Sequence, residues 1–336
     1  MIDIHKDNTI NLLKKDGPPI IVVTAVQESE AIINSCKSKG ITVSGVCDSF
    51  KEKTHNPFSG VKVFHTPELP KYFTQARFII ASQHVQECVD QLIGLGYKDF
   101  FSPLDLIQDY NVNNHEHSIS AEYMKNKLEV CKKSHELYFD KSKTYMRSLD
   151  VMITTKCSLK CTNCSNLMQY YKNPEHTDGN EIVKALNIIH ENVDHISEYR
   201  VIGGEPLMNR DWANIVNSIS AKNPNTKIFI YTNGTIAPKE EQIESFQGKN
   251  INFIITDYGK LSKNVEKMVS MLKKFNIGFS RDPAEYWIDC SNIKHHKRST
   301  ADLVEVFKQC CVKYIYTLLN GRLYRCPFIA NATNLK

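Results

Sequence analysis

Short apolar runs and helical patterns alternate along the first third of the chain. Three runs have the length and branched residues of buried parallel strands: 19–24, 41–48 and 76–81. Between the first two runs, Ala31, Ile32 and Ile33 lie on one side of a predicted helix, and Gly40 marks its end. This order of strand, helix and strand predicts a βαβ unit in a parallel sheet. Residues 1–17 are polar, and we expect them to be frayed.

The second half of the chain shows the same alternation with more strands. Its predicted strands are 149–155, 199–202, 227–231, 251–256, 277–281 and 314–319. Predicted helices with apolar faces separate several of them: 181–193, one around Trp212, and 265–275. A polar stretch and one long helical pattern at 121–139 divide this half from the first. The alternation predicts a parallel sheet or barrel.

The composition is that of a globular protein. Hydrophobic residues make up 41% of the 336 residues and charged residues 24%, which predicts about two packed domains. The formal net charge is only +5 and no long basic stripe is present, so we expect no nucleic-acid partner. No apolar run approaches the ~18 residues of a membrane span, and the polar start does not resemble a signal peptide. We therefore expect a cytoplasmic protein, not bound to a membrane, whose clustered cysteines bind metal.

Three of the eleven cysteines form a Cys-x3-Cys-x2-Cys loop after the strand at 149–155. They are Cys157, Cys161 and Cys164. Three thiolates can hold three irons of a [4Fe–4S] cluster and leave the fourth iron open to a small molecule. A structural zinc site usually pairs its cysteines and needs a fourth ligand, and a disulfide framework does not suit a chain without a secretory signal. The spacing favours an iron–sulfur cluster.

Two further motifs follow predicted strands: Gly203-Gly204-Glu205-Pro206 and Thr232-Asn233-Gly234. In α/β barrels the active site is built from loops at the carboxyl ends of the strands, where these motifs and the cysteine loop all lie. Paired glycines let a backbone approach a ligand closely, and Glu205 or exposed carbonyls can accept a hydrogen bond from an ammonium group. Together with the cysteine spacing, these motifs resemble those of the radical S-adenosylmethionine (SAM) superfamily. The resemblance covers about residues 151–336.

The resemblance implies a [4Fe–4S] cluster on Cys157, Cys161 and Cys164, with SAM bound at the open iron. The residues it assigns to SAM are Gly203, Gly204, Glu205 and Asn233, to which we add Ser280 and Arg281 for the ribose or carboxylate. In the superfamily the reduced cluster cleaves SAM to methionine and a 5′-deoxyadenosyl radical, so a reductant such as flavodoxin or ferredoxin is an implied partner. One position departs from the pattern: Asn163 stands where the family usually has an aromatic residue against adenine. That contact is then polar, or another residue such as Tyr170 or Tyr171 makes it.

The end of the chain carries a second resemblance. Cys311, Gly321 and Cys326 are spaced as Cys-x9-Gly-x4-Cys, which resembles the opening of the auxiliary-cluster domains called SPASM and twitch. The resemblance implies a second iron–sulfur cluster with Cys311 and Cys326 among its ligands. Two interpretations remain open. Either Cys290 or Cys310 completes this cluster, or the sequence is a fragment of a longer protein, and we favour the fragment.

The first segment has the βαβ pattern of a Rossmann-type unit. It resembles the small Rossmann-like domains fused to sugar-modifying enzymes. A dinucleotide site needs glycines where the first strand meets the helix, and residues 24–27 contain none. Asp48, at the end of the second strand, stands where an acid would bind a ribose, but an ordinary strand-end residue is equally consistent with it. We predict a docking or structural module that binds no dinucleotide.

The predicted fold is α/β in four segments. They are a Rossmann-like domain at 1–111, a helical linker at 112–147, a partial (β/α)6 TIM barrel of radical SAM type at 148–300, and a SPASM- or twitch-like auxiliary-cluster segment at 301–336. The predicted function is a radical SAM oxidoreductase or epimerase whose small-molecule substrate is a sugar or nucleotide-sugar. The alternatives are an enzyme that modifies a ribosomal peptide, and an iron–sulfur or redox-sensing protein that does not cleave SAM.

Overall fold

The computed structural model describes residues 4–108, 119–284, 293, 295–310 and 312–335. The chain divides into two units, each with its own sheet. The first unit comprises Met1–Asn114 and Lys127–Lys141, and the second comprises His115–Asn126 and Ser142–Lys336. The segment predicted as a linker, 112–147, is thus shared between the units.

A six-stranded sheet forms the first unit. Its strands are β1 (Ile4–His5), β2 (Ile20–Val23), β3 (Gly45–Asp48), β4 (Val63–His65), β5 (Arg77–Ile80) and β6 (Asp99–Phe101). They lie in the order β1-β6-β5-β2-β3-β4, and the described pairings are all parallel. The order reverses between β2 and β5, which is where doubly wound α/β sheets have their switch point.

Helices surround this sheet. They are α1 (Thr9–Lys14), α2 (Gln27–Ser38), α3 (Val85–Gly94), α4 (Leu104–Ile107) and α5 (Ala121–Phe139), of which the part from Lys127 onward belongs to the first unit. The four residues of β2 and the four of β5 are all buried, as expected for parallel strands that are covered on both faces. Ile21, Phe78 and Phe100 are fully buried between the sheet and its helices.

Two expectations for the first unit were wrong. Residues 4–17 are not frayed, since Ile4 and Leu13 are buried and β1 pairs with β6. The second run forms a strand only from Gly45. Ile41 instead turns back onto α2, where its N–H donates to the carbonyl oxygen of Cys36 at 2.8 Å. The apolar side chain of Ile41 covers the end of α2. In the sequence, an apolar residue with this role looks the same as the first residue of a buried strand.

A seven-stranded sheet forms the second unit. Its strands are β7 (Tyr145–Met152), β8 (His195–Ile202), β9 (Lys227–Thr232), β10 (Ile251–Asp257), β11 (Gly278–Pro283), β12 (Tyr316–Leu319) and β13 (Arg322–Tyr324). They lie in the order β11-β10-β9-β8-β7-β12-β13, and only the last pair is antiparallel. The predicted α/β fold with parallel sheets is confirmed.

The helices of this unit are α6 (Gly179–His190), α7 (Trp212–Lys222), α8 (Glu240–Glu244), α9 (Val265–Lys274), α10 (Thr300–Gln309) and α11 (Pro327–Asn334). Trp212 of α7 packs edge-on against Phe246 and Phe253 in the main apolar core. Side chains alternate between the faces of a strand, so Tyr199 and Val201 of β8 join this core while Arg200 lies on the opposite face. There Arg200 Nε lies 3.1 Å from Oδ1 of the buried Asp150.

The parallel strands determine where the candidate site lies. Because β7 to β11 are parallel neighbours, the segments that follow them all emerge at one edge of the sheet. The cysteine loop follows β7, the Gly-Gly-Glu-Pro motif follows β8, and the Thr-Asn-Gly motif begins at the end of β9. Within the described part of the chain, no helix is both long and apolar enough to span a membrane.

Candidate metal centre

The thiols of Cys157, Cys161 and Cys164 lie together beyond the end of β7. All three are partly buried, and they are close enough to interact electrostatically. Burial, with smaller contributions from Glu205 and the two neighbouring thiols, raises the pKa of the Cys157 thiol to about 11. Among the described residues, no three His, Cys, Asp or Glu side chains converge closely enough to hold a single metal ion. A [4Fe–4S] cluster binds each thiolate on a different iron, whereas a zinc ion needs its ligands around one centre.

The two glycines of the Gly-Gly-Glu-Pro loop, residues 203–206, lie against the backbone of the cysteine loop. A Cβ on Gly203 would come within 2.2 Å of the Thr154 carbonyl oxygen, and one on Gly204 within 2.1 Å of the Lys156 carbonyl oxygen. The same carbonyl groups accept hydrogen bonds from Gly204 N at 3.0 Å and Glu205 N at 2.8 Å. The glycines therefore allow two backbones to pair and so position the start of the cysteine loop.

Glu205 connects this loop to the Thr-Asn-Gly loop, residues 232–234. Its carboxylate is fully buried and accepts hydrogen bonds from Thr232 Oγ1 at 2.8 Å, Asn233 N at 2.7 Å and Leu207 N at 3.2 Å. Burial raises the pKa of Glu205 to about 7, although these donors oppose the shift. Both oxygens are used within the protein, so the carboxylate shapes the two loops.

Asn233 faces the cysteine loop. Its Nδ2 lies 3.9 Å from the sulfur of Cys157 and donates to Ser158 Oγ at 3.1 Å. Ser158 in turn shares a hydrogen bond of 2.6 Å with Thr235 Oγ1. Gly234 follows with φ +67°, and a Cβ there would meet Val265 at 2.4 Å. The loop is thus held against both the cysteine loop and α9.

Sequence reasoning missed Tyr258, which follows β10. Its hydroxyl is hydrogen-bonded to the thiol of Cys161. Burial raises the pKa of Tyr258, and the nearby thiols of Cys161, Cys164 and Cys157 raise it further. A tyrosine after a strand carries no signal of this contact, because the contact depends on how two loops distant in sequence meet.

Ser280 and Arg281 lie in the middle of β11 and bind other protein groups. The fully buried Ser280 donates to Asp282 Oδ2 at 2.7 Å. Arg281 binds Asp257 through Nε at 2.9 Å and Nη2 at 2.8 Å, and it binds Glu266 through Nη1 at 2.7 Å. Arg281 therefore secures the end of β10 directly before Tyr258.

The two tyrosines considered for the adenine contact lie in different environments. Tyr170 is exposed, whereas Tyr171 packs against an apolar cluster that Cys157 and Cys164 also contact. The Tyr171 hydroxyl donates to Asn331 Oδ1 at 2.8 Å. Of the two, Tyr171 is the one fixed beside the cysteine loop.

The tail cysteines are only partly described. Cys326 caps α11, where its sulfur accepts from Ile329 N at 3.5 Å. Burial raises the pKa of its thiol, with a smaller contribution from Cys310. Cys311 and Cys290 lie outside the described residues. The ligand set predicted around Cys311 therefore stays a prediction.

In the first unit, Asp48 is engaged within the fold. Its Oδ2 accepts from Ala25 N at 2.8 Å and from Lys53 Nζ at 3.0 Å. The first-unit part of α5 lies across the carboxyl edge of the sheet. His135 contacts the Ser82 carbonyl oxygen and Ser102 Oγ, both at 3.2 Å. This edge is where doubly wound sheets bind their ligands.

Comparison with known proteins finds a family match over the part of the chain that contains the three loops of the site. Residues 151–269 match the Radical SAM superfamily, which supports that superfamily for this segment of the chain.

Among individual proteins, GTP 3′,8-cyclase of Streptomyces coelicolor is 33% identical over 88 residues, which cover 26% of this chain and 26% of that enzyme. The matched region thus spans about a quarter of that curated relative. Two solved structures of BtrN are also similar. The complex with AdoMet and 2-DOIA has a TM-score of 0.41 at 16% identity, covering 55% of this chain and 75% of that one. Selenomethionine BtrN in an open conformation has a TM-score of 0.33 at 15% identity, covering 54% and 70%.

Proposed function

We propose that this protein is a radical SAM enzyme whose [4Fe–4S] cluster is held by Cys157, Cys161 and Cys164. The observation that carries the proposal is the convergence of these three thiols beyond β7, beside the Gly-Gly-Glu-Pro and Thr-Asn-Gly loops. The match of residues 151–269 to the superfamily supports it. When bound and reduced, the cluster supplies the electron that cleaves SAM to methionine and a 5′-deoxyadenosyl radical, which abstracts hydrogen from the substrate.

The residues around the thiols hold the site in one arrangement. Gly203 and Gly204 let the backbone of their loop pair with that of the cysteine loop, and Glu205 fixes the Thr-Asn-Gly loop beside it. In the proposal, SAM lies along this edge with its methionine group against the Gly-Gly-Glu-Pro loop. Since Glu205 uses both oxygens within the protein, the loop offers its backbone to SAM and Glu205 maintains its shape. Ser280 and Arg281 act on the same edge by securing the ends of β10 and β11.

The test combines iron content with product formation. Anaerobically reconstituted Cys161→Ala should lose the iron of this cluster and form no 5′-deoxyadenosine when reduced in the presence of SAM. Cys88→Ala, which removes a buried thiol of the first unit, is the matched control. It should keep the wild-type iron content and still form 5′-deoxyadenosine. Normal iron content and SAM cleavage in Cys161→Ala would refute the proposal. A wild-type protein that keeps a reducible cluster but never forms 5′-deoxyadenosine would instead be an iron–sulfur or redox-sensing protein.

For the substrate, we propose a sugar or nucleotide-linked sugar that is oxidised or epimerised. A flavodoxin- or ferredoxin-type reductant would supply the electron that SAM cleavage needs. What supports this class is the first unit, whose strand order is that of a doubly wound sheet, as in the small domains fused to sugar-modifying enzymes. Metabolite profiling of a deletion strain tests it. Accumulation of an unmodified sugar is the expected result, and accumulation of an unmodified ribosomal peptide would replace the sugar with a peptide.

We further propose that the tail holds an auxiliary iron–sulfur cluster and that the first unit is a Rossmann-like docking module. The Cys-x9-Gly-x4-Cys spacing of Cys311, Gly321 and Cys326 supports the cluster. The internal bonds of Asp48 and the placement of α5 across the carboxyl edge of the sheet support a module without a dinucleotide.

A further inference from the structure

Two side chains from neighbouring loops reach the sulfurs of two proposed cluster ligands. The hydroxyl of Tyr258 is hydrogen-bonded to Cys161, and Nδ2 of Asn233 lies 3.9 Å from the sulfur of Cys157. Both donors come from strand ends, β10 and β9, and not from the cysteine loop itself. Backbone N–H groups of the cysteine loop also contribute, one of them at Cys157, from Leu159, and three at Cys164.

One buried serine positions both donors. Ser262 Oγ donates to the Asn233 carbonyl oxygen at 2.6 Å and accepts from Tyr258 N at 2.8 Å. Ser262 is only 6% exposed, and on the other side Glu205 binds the N–H of Asn233. The network therefore runs through buried groups from the Gly-Gly-Glu-Pro loop to Tyr258. Groups anchored in this way keep their direction when the charge of a neighbouring ligand changes.

We propose that Tyr258 and Asn233 are positioning residues that set the reduction potential of the cluster through Cys161 and Cys157, with Ser262 holding both in place. The inference rests on the proposed function. Reduction adds one electron from the external reductant and makes the thiolate sulfurs more negative. Hydrogen-bond donors stabilise that added charge, so they make the cluster easier to reduce.

The experiment is a redox titration of anaerobically reconstituted protein in the absence of SAM, followed by electron paramagnetic resonance of the reduced cluster. Tyr258→Phe keeps the ring and removes only the hydroxyl. It should bind as much iron as wild type and titrate at a more negative potential. Tyr72→Phe, which changes an exposed tyrosine of the first unit, is the matched control and should titrate as wild type does. Ser262→Ala, which keeps both donors but frees their loops, should shift the potential in the same direction by a smaller amount.

The outcomes separate this inference from the proposed function. If Tyr258→Phe holds full iron and its potential matches that of wild type, the inference is wrong and the cluster assignment stands. If Tyr258→Phe assembles no cluster, the hydroxyl acts in assembly and not in tuning, which also overturns the inference. If replacing Cys157, Cys161 and Cys164 together by Ala leaves the titrating signal unchanged, the cluster is not on these cysteines. The proposed function is then wrong, and the inference that rests on it is wrong as well.

Discussion

At the scale of single residues, the shape of the site depends on two glycines, Gly203 and Gly204, as much as on residues with large side chains. The sequence motif suggests that its glycines approach a ligand, but in the structure they approach the backbone of the cysteine loop. Glu205 likewise binds protein donors with both oxygens. The glycines and Glu205 therefore determine the shape of the site through contacts within the protein.

Gly204 provides the first prediction. Gly204→Ala places a methyl group 2.1 Å from the Lys156 carbonyl oxygen, and forcing extra atoms into a packed site costs about 1–3 kcal/mol. We expect the cysteine loop to shift and the reconstituted protein to hold less iron than wild type. The matched control is Gly94→Ala, where a Cβ meets nothing within 4 Å. Equal iron content in the two variants would show that the tight contact at Gly204 does not hold the loop.

Sequence alone could identify the residues that carry a motif but not those that support them. The spacing of Cys157, Cys161 and Cys164 was sufficient to predict an iron–sulfur loop. Tyr258 was not predicted, because its hydrogen bond to Cys161 arises from the meeting of two loops about 100 residues apart, a long-range contact that periodicity does not encode. Arg281 was assigned to SAM, whereas the structure pairs it with Asp257 and Glu266.

At the scale of elements, some strands and some helices were predicted closely and others of both kinds were missed. Buried parallel strands appear in the sequence as apolar runs, and β9 and β10 were predicted within one residue of their observed ends. The helices α10 and α11 were not predicted. Leu303, Val304 and Phe307 recur at helical spacing and Ser299 caps the helix, so the sequence carried a signal for α10 that the prediction missed. The helix α5 was predicted with its observed bounds, but its role across the first sheet required the structure.

A pH prediction follows from His135 on α5. Burial lowers the pKa of His135 from 6.5 to about 4, so the folded state cannot take up the proton that the unfolded state binds. The stability contributed by neutral His135 is complete above pH 6.5 and is lost as the pH falls toward 4, by up to about 3 kcal/mol. Denaturant unfolding at pH 7.5 and 5.0 should show a smaller acid loss for His135→Gln than for wild type. His55→Gln, at an exposed histidine of the same unit, should behave as wild type. An equal acid loss in wild type and His135→Gln would contradict the argument.

At the scale of the whole molecule, two sheets carry different chemistry. The second carries polar and partly buried thiol groups at its carboxyl edge, whereas α5 and internal hydrogen bonds occupy the same edge of the first. The strand–helix alternation predicted both sheets, but it could not show which edge is available to a ligand. That depends on where a single helix packs.

The first unit should therefore bind no dinucleotide. Pyrophosphate binding needs backbone N–H groups that are free at the first strand–helix turn, and Ala25 N is already bonded to Asp48. Calorimetry with NAD, NADP and common nucleotide-sugars should give no binding of the dinucleotides at micromolar concentrations. The matched variant is Asp48→Ala, which removes the acid that would hold a ribose. Micromolar binding of NAD to wild type that is lost in Asp48→Ala would overturn the prediction.

The last prediction concerns the iron content of the whole chain. If the tail holds an auxiliary cube-type cluster, the reconstituted protein should contain about eight irons per chain, against about four for a single cluster. Replacing Cys157, Cys161 and Cys164 together by Ala should leave about half of the iron, because the remaining cluster sits on other cysteines. Further replacement of Cys311 and Cys326, the ligands that the spacing of the tail predicts, should remove the rest. Iron and sulfide analysis decides between the alternatives. A triple variant that holds no iron would mean that the tail thiols are structural and that the protein carries one cluster, on the cysteine loop.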